Sequence, residues 1–325
     1  MIIAKTPFRV TLAGGGTDLP SFYEDHEGLV ISMAINKHIY VTIKENIFDD
    51  FIRLRYLETE YVSSVNNLKH DRAREALKQS GIFTGVEVTS TADLPGQSGM
   101  GSSGSFLVAI LSAITRFQNK TIDPYEIAEK ACDIEIKNLC EPVGKQDQYI
   151  AALGGIKMLQ IDHNGSVEVT DLTDTIGKNN ISELVQHMNI YKLDTYRNAS
   201  KVLEAQNNKE TKTHNTLNTI KDMALQSLDS IKNGQLKNYG RILDDYWAIK
   251  KTLSNRVSTS QIDELYKTVK NNYGVLGGKV IGAGGGGFIL LFCEPSKKLD
   301  EFMNSKNMPK LKYNPSNEGV KVINL

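Results

Sequence analysis

Strand-length apolar runs dominate the first third of the chain. Leu29–Ile43 is dense in β-branched and aromatic residues and turns polar only at Asn36-Lys37, which predicts a pair of strands meeting there. Val86–Ser90 predicts a further short strand. The run Phe106-Leu107-Val108-Ala109-Ile110-Leu111 is unbroken, and predicts a buried helix that ends near Phe117. Asp123-Pro124-Tyr125-Glu126 then supplies an acidic N-cap, a proline at the first helical position and a glutamate at the third. A helix through Ile127, Ala131 and Ile134 towards Leu139 follows from it. Ile156–Ile161 and Val167–Leu172 flank Asn164-Gly165, a strong hairpin signal.

The second half changes period. Leu217, Ile220, Ala224, Leu228 and Ile231 keep helical spacing, as do Leu236, Tyr239, Leu243, Tyr246 and Ile249. Ile262, Leu265 and Val269 mark another helix ending near Gly274. Strands are expected at Phe288–Cys293 and Val320–Ile323, and polar Gln206–Asn215 reads as an exposed turn. The change of pattern places a division between residues 1–165 and residues 166–325, and gives an α+β fold of two domains.

Composition narrows the classes. With 325 residues and 40% hydrophobic content, the chain can bury real cores. A formal net charge of zero gives no electrostatic reason to expect nucleic acid or an anionic membrane as partner. Cys132, Cys140 and Cys293 are an odd set without metal-type spacing, read as free thiols of a reducing cytoplasm. The N-terminus has no leader-like apolar stretch, and no apolar run is long enough to span a bilayer.

The chemistry lies in glycine-rich segments. Leu94–Ser105 holds four glycines and four serines without a charge, directly before the apolar helix. It therefore offers backbone N–H groups and hydroxyls at a helix N-terminus, where unpaired donors suit a phosphate. Gly99–Gly104 spells the dinucleotide GxGxxG, but the seven residues Thr91 to Gln97 separate Ser98 from the strand, and Asp123 opens a helix rather than closing a strand. A Walker loop is excluded because no lysine occurs between Lys78 and Lys120. Three further segments keep it company. Thr6–Pro20 runs from an apolar strand with one interior arginine, Arg9, through Gly14-Gly15-Gly16 to Thr17-Asp18. In Glu141–Tyr149, Gly144 allows a turn that aims Asp147 at the loop. Gly277–Phe288 packs five glycines into Gly282–Gly287, which implies close backbone approach to a ligand or to another loop.

Together these segments resemble the GHMP small-molecule kinases, with Pro7–Asp18, Pro95–Ser105 and Lys279–Gly287 standing in the order of the family's three motifs. The resemblance implies a ribosomal-protein-S5-like N-terminal ATP-binding domain and a ferredoxin-like C-terminal domain. It implies that Pro95, Gly96, Ser98, Gly99, Gly101, Ser102, Ser103 and Gly104 cradle ATP phosphates, and that Ser103 and Glu135 hold Mg²⁺. Asp147 corresponds to the carboxylate beside the accepting hydroxyl, and Arg9 to the basic residue facing it. Gly14, Gly15, Gly16, Thr17, Asp18, Arg197, Gly284 and Gly285 join Arg9 and Asp147 as substrate contacts. Within the family, Gly14–Pro20 and Glu141–Gln148 look most like the D-glycero-D-manno-heptose 7-phosphate 1-kinases, on the GDP-heptose route to surface polysaccharide. The Gly-Glu-His of galactokinases is absent, which argues against galactose. Other sugar 1-kinases and a non-catalytic ATP and sugar sensor are the alternatives. The partners implied are ATP and a small sugar phosphate, with a homodimer left open. A 7-phosphate needs cations, for which His70, Arg72, Arg74, Lys145 and Arg197 are candidates.

Overall fold

The computed structural model describes residues 1–96, 98–194, 202, 204 and 209–325. An eight-stranded sheet is built around two long strands, β1 (Ile2–Ala13) and β2 (Gly28–Glu45). The others are β3 (Ile52–Arg55), β4 (Thr59–Val62), β5 (Val86–Ala92), β6 (Ile156–Ile161), β7 (Val167–Asp171) and β11 (Lys321–Asn324). The order is β11-β1-β2-β5-β3-β4. The first half of β2 pairs with β6 and the second half with β5.

The expected strand break at Asn36-Lys37 is instead a bulge in one continuous β2. Pairing with β1 jumps from Pro7–His38 to Phe8–Ile35, so the two polar residues are looped out without a turn. Asn36 is satisfied from afar, its N–H donating to the Asn314 carbonyl at 2.9 Å and its side chain accepting from Asn314 N–H at 2.8 Å.

Helices Asp71–Gln79, Ser102–Phe117, Pro124–Asp133 and Gln146–Leu153 belong to the same core as this sheet. Asp123 caps the third of these through Tyr125 and Glu126 N–H, as its sequence predicts. Beyond Asp133 the helix widens to a π-turn over Ile134–Asn138, which carries Glu135.

The smaller sheet joins β8 (Met188–Lys192), β10 (Phe288–Phe292) and β9 (Gly277–Val280), all antiparallel. A bridge from Tyr191 to Lys310 adds a fourth extended line beside β8. In chain order the sheet reads fourth, first, third, second, the split arrangement of a ferredoxin-like unit. Helices Thr211–Lys232, Leu236–Lys250, Ser260–Asn272 and Lys297–Ser305 complete this half. The expected turn at Gln206–Asn215 gives way to helix from Thr211 onward, and 206–208 lie outside the described residues.

A cut at 165/166 would sever the β6–β7 hairpin, and β11 returns from the C-terminus to pair with β1. The larger sheet thus draws on both ends of the chain. No helix among the described residues is long and apolar enough to cross a membrane.

Candidate active site

Three backbone approaches, each possible only at glycine, assemble the site. The helix Ser102–Phe117 starts after Gly101, which is left-handed at φ +83° and has no side chain with which to cap the first turn. Its N-terminal donors stay available to an anion. A Cβ on Gly104 would stand 2.7 Å from the Asp147 Cβ, so this helix and Gln146–Leu153 meet where the two motifs face each other. Gly99 and Gly282 press backbone to backbone. A Cβ on Gly282 would lie 2.5 Å from the Gly99 carbonyl oxygen, and one on Gly99 would lie 2.4 Å from that of Ile281. The third glycine run therefore buttresses the phosphate loop.

Arg9 ties the loop to the carboxylate beneath it. From its buried place on β1 its Nε donates to Asp147 Oδ1 at 2.7 Å, and Nη1 donates to the Gly99 carbonyl at 2.6 Å. Its backbone N–H donates to the Met100 carbonyl at 3.1 Å, which pins the loop along the strand. Ser98 is buried and accepts from Met100 N–H, giving the loop its turn. Pro95 and Gly96 stand exposed at the mouth, with Ser102 and Ser103 partly open behind them.

Asp147 is partly open to a pocket lined by Arg9, Asp18, Gln146, Tyr246, Lys250 and Lys279, among others. Burial pushes its carboxyl above the ordinary aspartate value; Arg9 pulls the other way, and Asp18 adds to the rise. Asp18, 2% exposed, is received by Gly144, where any Cβ would fall 2.0 Å from its Oδ2. Gln146 donates to it from both backbone N–H and Nε2, each at 3.2 Å to Oδ2.

Glu135 is fully buried, and the π-turn aims it at the same helix terminus. It accepts from Arg72 Nε at 2.9 Å and from Gln148 Nε2 at 2.6 Å, and a hydrogen bond joins it to the Ser103 side chain. Burial raises its carboxyl, while Arg72 and these hydrogen bonds oppose the rise.

The remaining expected residues divide. Gly15 and Gly16 line the pocket, whereas Gly14 and Thr17 build the turn. Thr17 Oγ1 donates to the Gly14 and Leu29 carbonyls and accepts from Leu29 N–H. Gly284 and Gly285 pack on Val257, and Gly282 and Ala283 take their place in the pocket wall. Arg197 lies outside the described residues. The other cations expected to hold a 7-phosphate are engaged elsewhere. Arg72 pairs with Glu135, Glu141 and Asp71; Arg74 binds the Leu68 carbonyl and Glu75; Lys145 is held by Glu129 and the Gly165 carbonyl. His70 caps its helix by accepting from Ala73 N–H, with its ring against Tyr56 and Phe106.

Comparison with known proteins decides the family. The model for the GHMP kinases N terminal domain matches residues 67–155, and that for the GHMP kinases C terminal matches 227–305. A relative named D-glycero-alpha-D-manno-heptose 7-phosphate kinase, from Campylobacter jejuni, is 30% identical over 318 residues, covering 91% of each chain. The chain belongs to the GHMP kinase family. Among solved structures, a D-glycero-D-manno-heptose 1-phosphate kinase from Bacteriodes thetaiotaomicron superposes with TM-score 0.79 at 25% identity, over 100% of this chain and 99% of that one. A putative sugar kinase from Campylobacter jejuni gives 0.77 at 28% identity, over 99% and 98%. This GHMP kinase is a phosphotransferase with ATP as its donor.

Sequence reasoning missed Gln146, which lines the pocket and holds Asp18 there. Its Oε1 accepts from Thr11 Oγ1 at 2.5 Å and from Ser32 Oγ at 3.0 Å, which leaves Nε2 to face Asp18. Gln146→Leu removes the side-chain donor to Asp18 and strands two buried hydroxyls. The expected result is a rise of about tenfold in acceptor KM, from one charge-assisted hydrogen bond of about 1.5 kcal/mol. Steady-state kinetics with the acceptor varied will show it, and an unchanged KM would remove Gln146 from substrate positioning.

Proposed function

We propose that this kinase transfers the γ-phosphoryl group of ATP to the anomeric hydroxyl of D-glycero-D-manno-heptose 7-phosphate, giving the 1,7-bisphosphate. The observation that carries the reading is the convergence of Arg9, Asp18 and Asp147 in one pocket beside the uncapped helix N-terminus. The relative that is 30% identical over nine-tenths of the chain supplies the substrate class.

Phosphoryl transfer asks a protein mainly to position reactants and to stabilise spread negative charge. The glycine loop and first helical turn receive the phosphates, while Asp18 holds sugar hydroxyls. Asp147 accepts the proton of the 1-hydroxyl as the new P–O bond forms and the bond to ADP breaks. Arg9, already on Asp147 and the Gly99 carbonyl, offsets the charge.

Ser103 and Glu135 are the residues that would hold Mg²⁺. A hard cation takes oxygen ligands, and here a hydroxyl and a buried carboxylate meet at the N-terminus of helix Ser102–Phe117, so the donor set fits. When bound, the ion supplies charge neutralisation on the phosphates. Ser103→Ala is expected to raise the Mg²⁺ concentration for half-maximal turnover by about tenfold, again the worth of one ligand-strength contact. An unchanged magnesium titration would take Ser103 out of this role.

The test is ATP-dependent phosphorylation of a panel comprising heptose 7-phosphate, free heptose, fucose and galactose, with ³¹P NMR of the product. The expected outcome is preferred turnover of heptose 7-phosphate and a new anomeric phosphate. Preference for an unphosphorylated sugar would reassign the substrate, and absence of turnover on every sugar would favour a sensor.

A further inference from the structure

Three buried polar groups, Tyr246, Lys250 and Lys279, line the same pocket as Gly15 and Gly16. Tyr246 and Lys250 stand four apart on helix Leu236–Lys250, so they share a face. That helix sits hard against β9, since a Cβ on Gly277 would fall 2.0 Å from the Gly240 carbonyl oxygen. The close approach brings the Lys279 ammonium to 4.8 Å from the Tyr246 ring centre, with that of Lys250 at 5.6 Å.

Their hydrogen bonding is incomplete. Lys250, 5% exposed, donates to the Gly282 carbonyl at 2.8 Å. Lys279, 2% exposed, reaches only the Leu12 carbonyl, at 3.5 Å. An ammonium has three donors, so both have bonds to spare. Among the described residues neither lies within ion-pair distance of a carboxylate, whereas Arg9 is paired with Asp147. The Tyr246 hydroxyl is buried and has no hydrogen-bond partner among the described residues.

Two unpaired buried cations and an orphaned hydroxyl are costly unless an anion fills the space between them. Burial and the charge of Arg9 hold Lys250 down to about 8, and burial with the charges of Lys250 and Arg9 holds Lys279 well below the ordinary lysine value, so the pocket has an electrostatic demand that an anion would meet.

We propose that Lys279, Tyr246 and Lys250 seat a phosphate monoester carried by the acceptor sugar. The assignment rests on the sugar-kinase reading and deepens it by naming what selects a phosphorylated acceptor. Tyr246 ties the seat to the sugar side, while Lys250 reaches the Gly282 carbonyl, whose residue packs on Gly99. The Tyr246 hydroxyl lies 3.4 Å from where a Cβ on Gly15 would stand, in the acceptor turn, while the ATP cradle is at Gly99–Gly104. These three groups do the work first sought in His70, Arg72, Arg74 and Lys145.

The experiment compares kcat/KM for heptose 7-phosphate with that for free heptose in the wild type, Lys279→Met, Lys250→Met, Tyr246→Phe and Lys279→Arg. A second arm measures inhibition by inorganic phosphate against the acceptor and against ATP. The preference for the phosphorylated sugar is expected to fall by about 10–100-fold in Lys279→Met, the worth of one charge-assisted hydrogen bond. It should fall less in Tyr246→Phe, which keeps the ring, and recover in part in Lys279→Arg, which keeps the charge. Inorganic phosphate is expected to compete with the acceptor in the wild type and to lose potency in Lys279→Met. An unchanged preference together with unchanged phosphate inhibition would overturn the assignment while leaving the substrate reading intact. A rise in KM for ATP without loss of preference would overturn it by moving the lysines to the nucleotide. If the wild type rejects heptose 7-phosphate yet phosphate competes with the sugar it does use, and does so through Lys279, the substrate reading fails and the anion seat stands.

Discussion

Asp147→Asn is expected to lower kcat by about 10²–10⁴-fold, the range for loss of a positioned acid–base group. The fold should survive, because an asparagine carbonyl still accepts from Arg9 Nε at the place where Oδ1 now does. Asp147→Ala differs in kind: it would leave the Arg9 guanidinium buried without its carboxylate, and a cost of about 3–5 kcal/mol is expected for breaking such a pair. Comparing kcat with thermal midpoint in the two variants separates chemistry from architecture. Near wild-type turnover in Asp147→Asn would remove the carboxylate from the reaction.

As the proposed proton acceptor, Asp147 is expected to set the acid limb of activity. Burial, reinforced by Asp18, holds the Asp147 carboxyl above its ordinary range. Only the carboxylate can accept a proton, so kcat/KM must fall as pH drops through that raised value and plateau above it. Asp18→Asn removes one negative neighbour and should move the limb to lower pH, whatever else it costs in sugar binding. A limb that stays in place would place the titrating group elsewhere.

How much of this was legible depends on whether a residue's task is local. The phosphate loop, Gly144 and the last glycine run were readable because left-handed or contact-limited backbone needs glycine whatever lies far away. Arg9 and Asp18 stood out as polar residues in apolar or glycine-rich settings. Lys279 carries the same signal, a single cation in the strand Gly277–Val280, and could have been singled out by the rule that found Arg9. Tyr246 was read as core because it falls on the apolar face of its helix, and it is indeed buried; what periodicity cannot show is that its hydroxyl has no partner. Arg72 fails for the opposite reason. Asp71 beside it supplies only one partner, and Glu135 and Glu141, which complete the match, are more than sixty residues away. The bulge at Asn36-Lys37 is likewise decided by Asn314, from the far end of the chain.

Gly282→Ala should weaken the scaffold where the two glycine loops meet. Gly282 is left-handed at φ +78°, a conformation that costs an L-residue about 1–2 kcal/mol. The new Cβ would also stand 2.5 Å from the Gly99 carbonyl oxygen and 2.8 Å from its Cα, neither being the end of a side chain that can swing away. Overpacking of this kind typically costs a further 1–3 kcal/mol, roughly, so the loops must part or the fold must weaken. At ~2–4 °C per kcal/mol for a domain of 150–250 residues, the thermal midpoint is expected to drop by several degrees. Arg9 Nη1 grips the Gly99 carbonyl, and Lys250 grips that of Gly282, so separation of the two loops pulls on two of the cations that line the pocket. ATP KM should therefore rise along with the loss of stability, and bound nucleotide should recover part of the midpoint by mass action. Calorimetry with and without ATP, set beside ATP titrations, tests both halves. A Gly282→Ala protein as stable as wild type with unchanged ATP KM would show that the third glycine run does not support the phosphate loop.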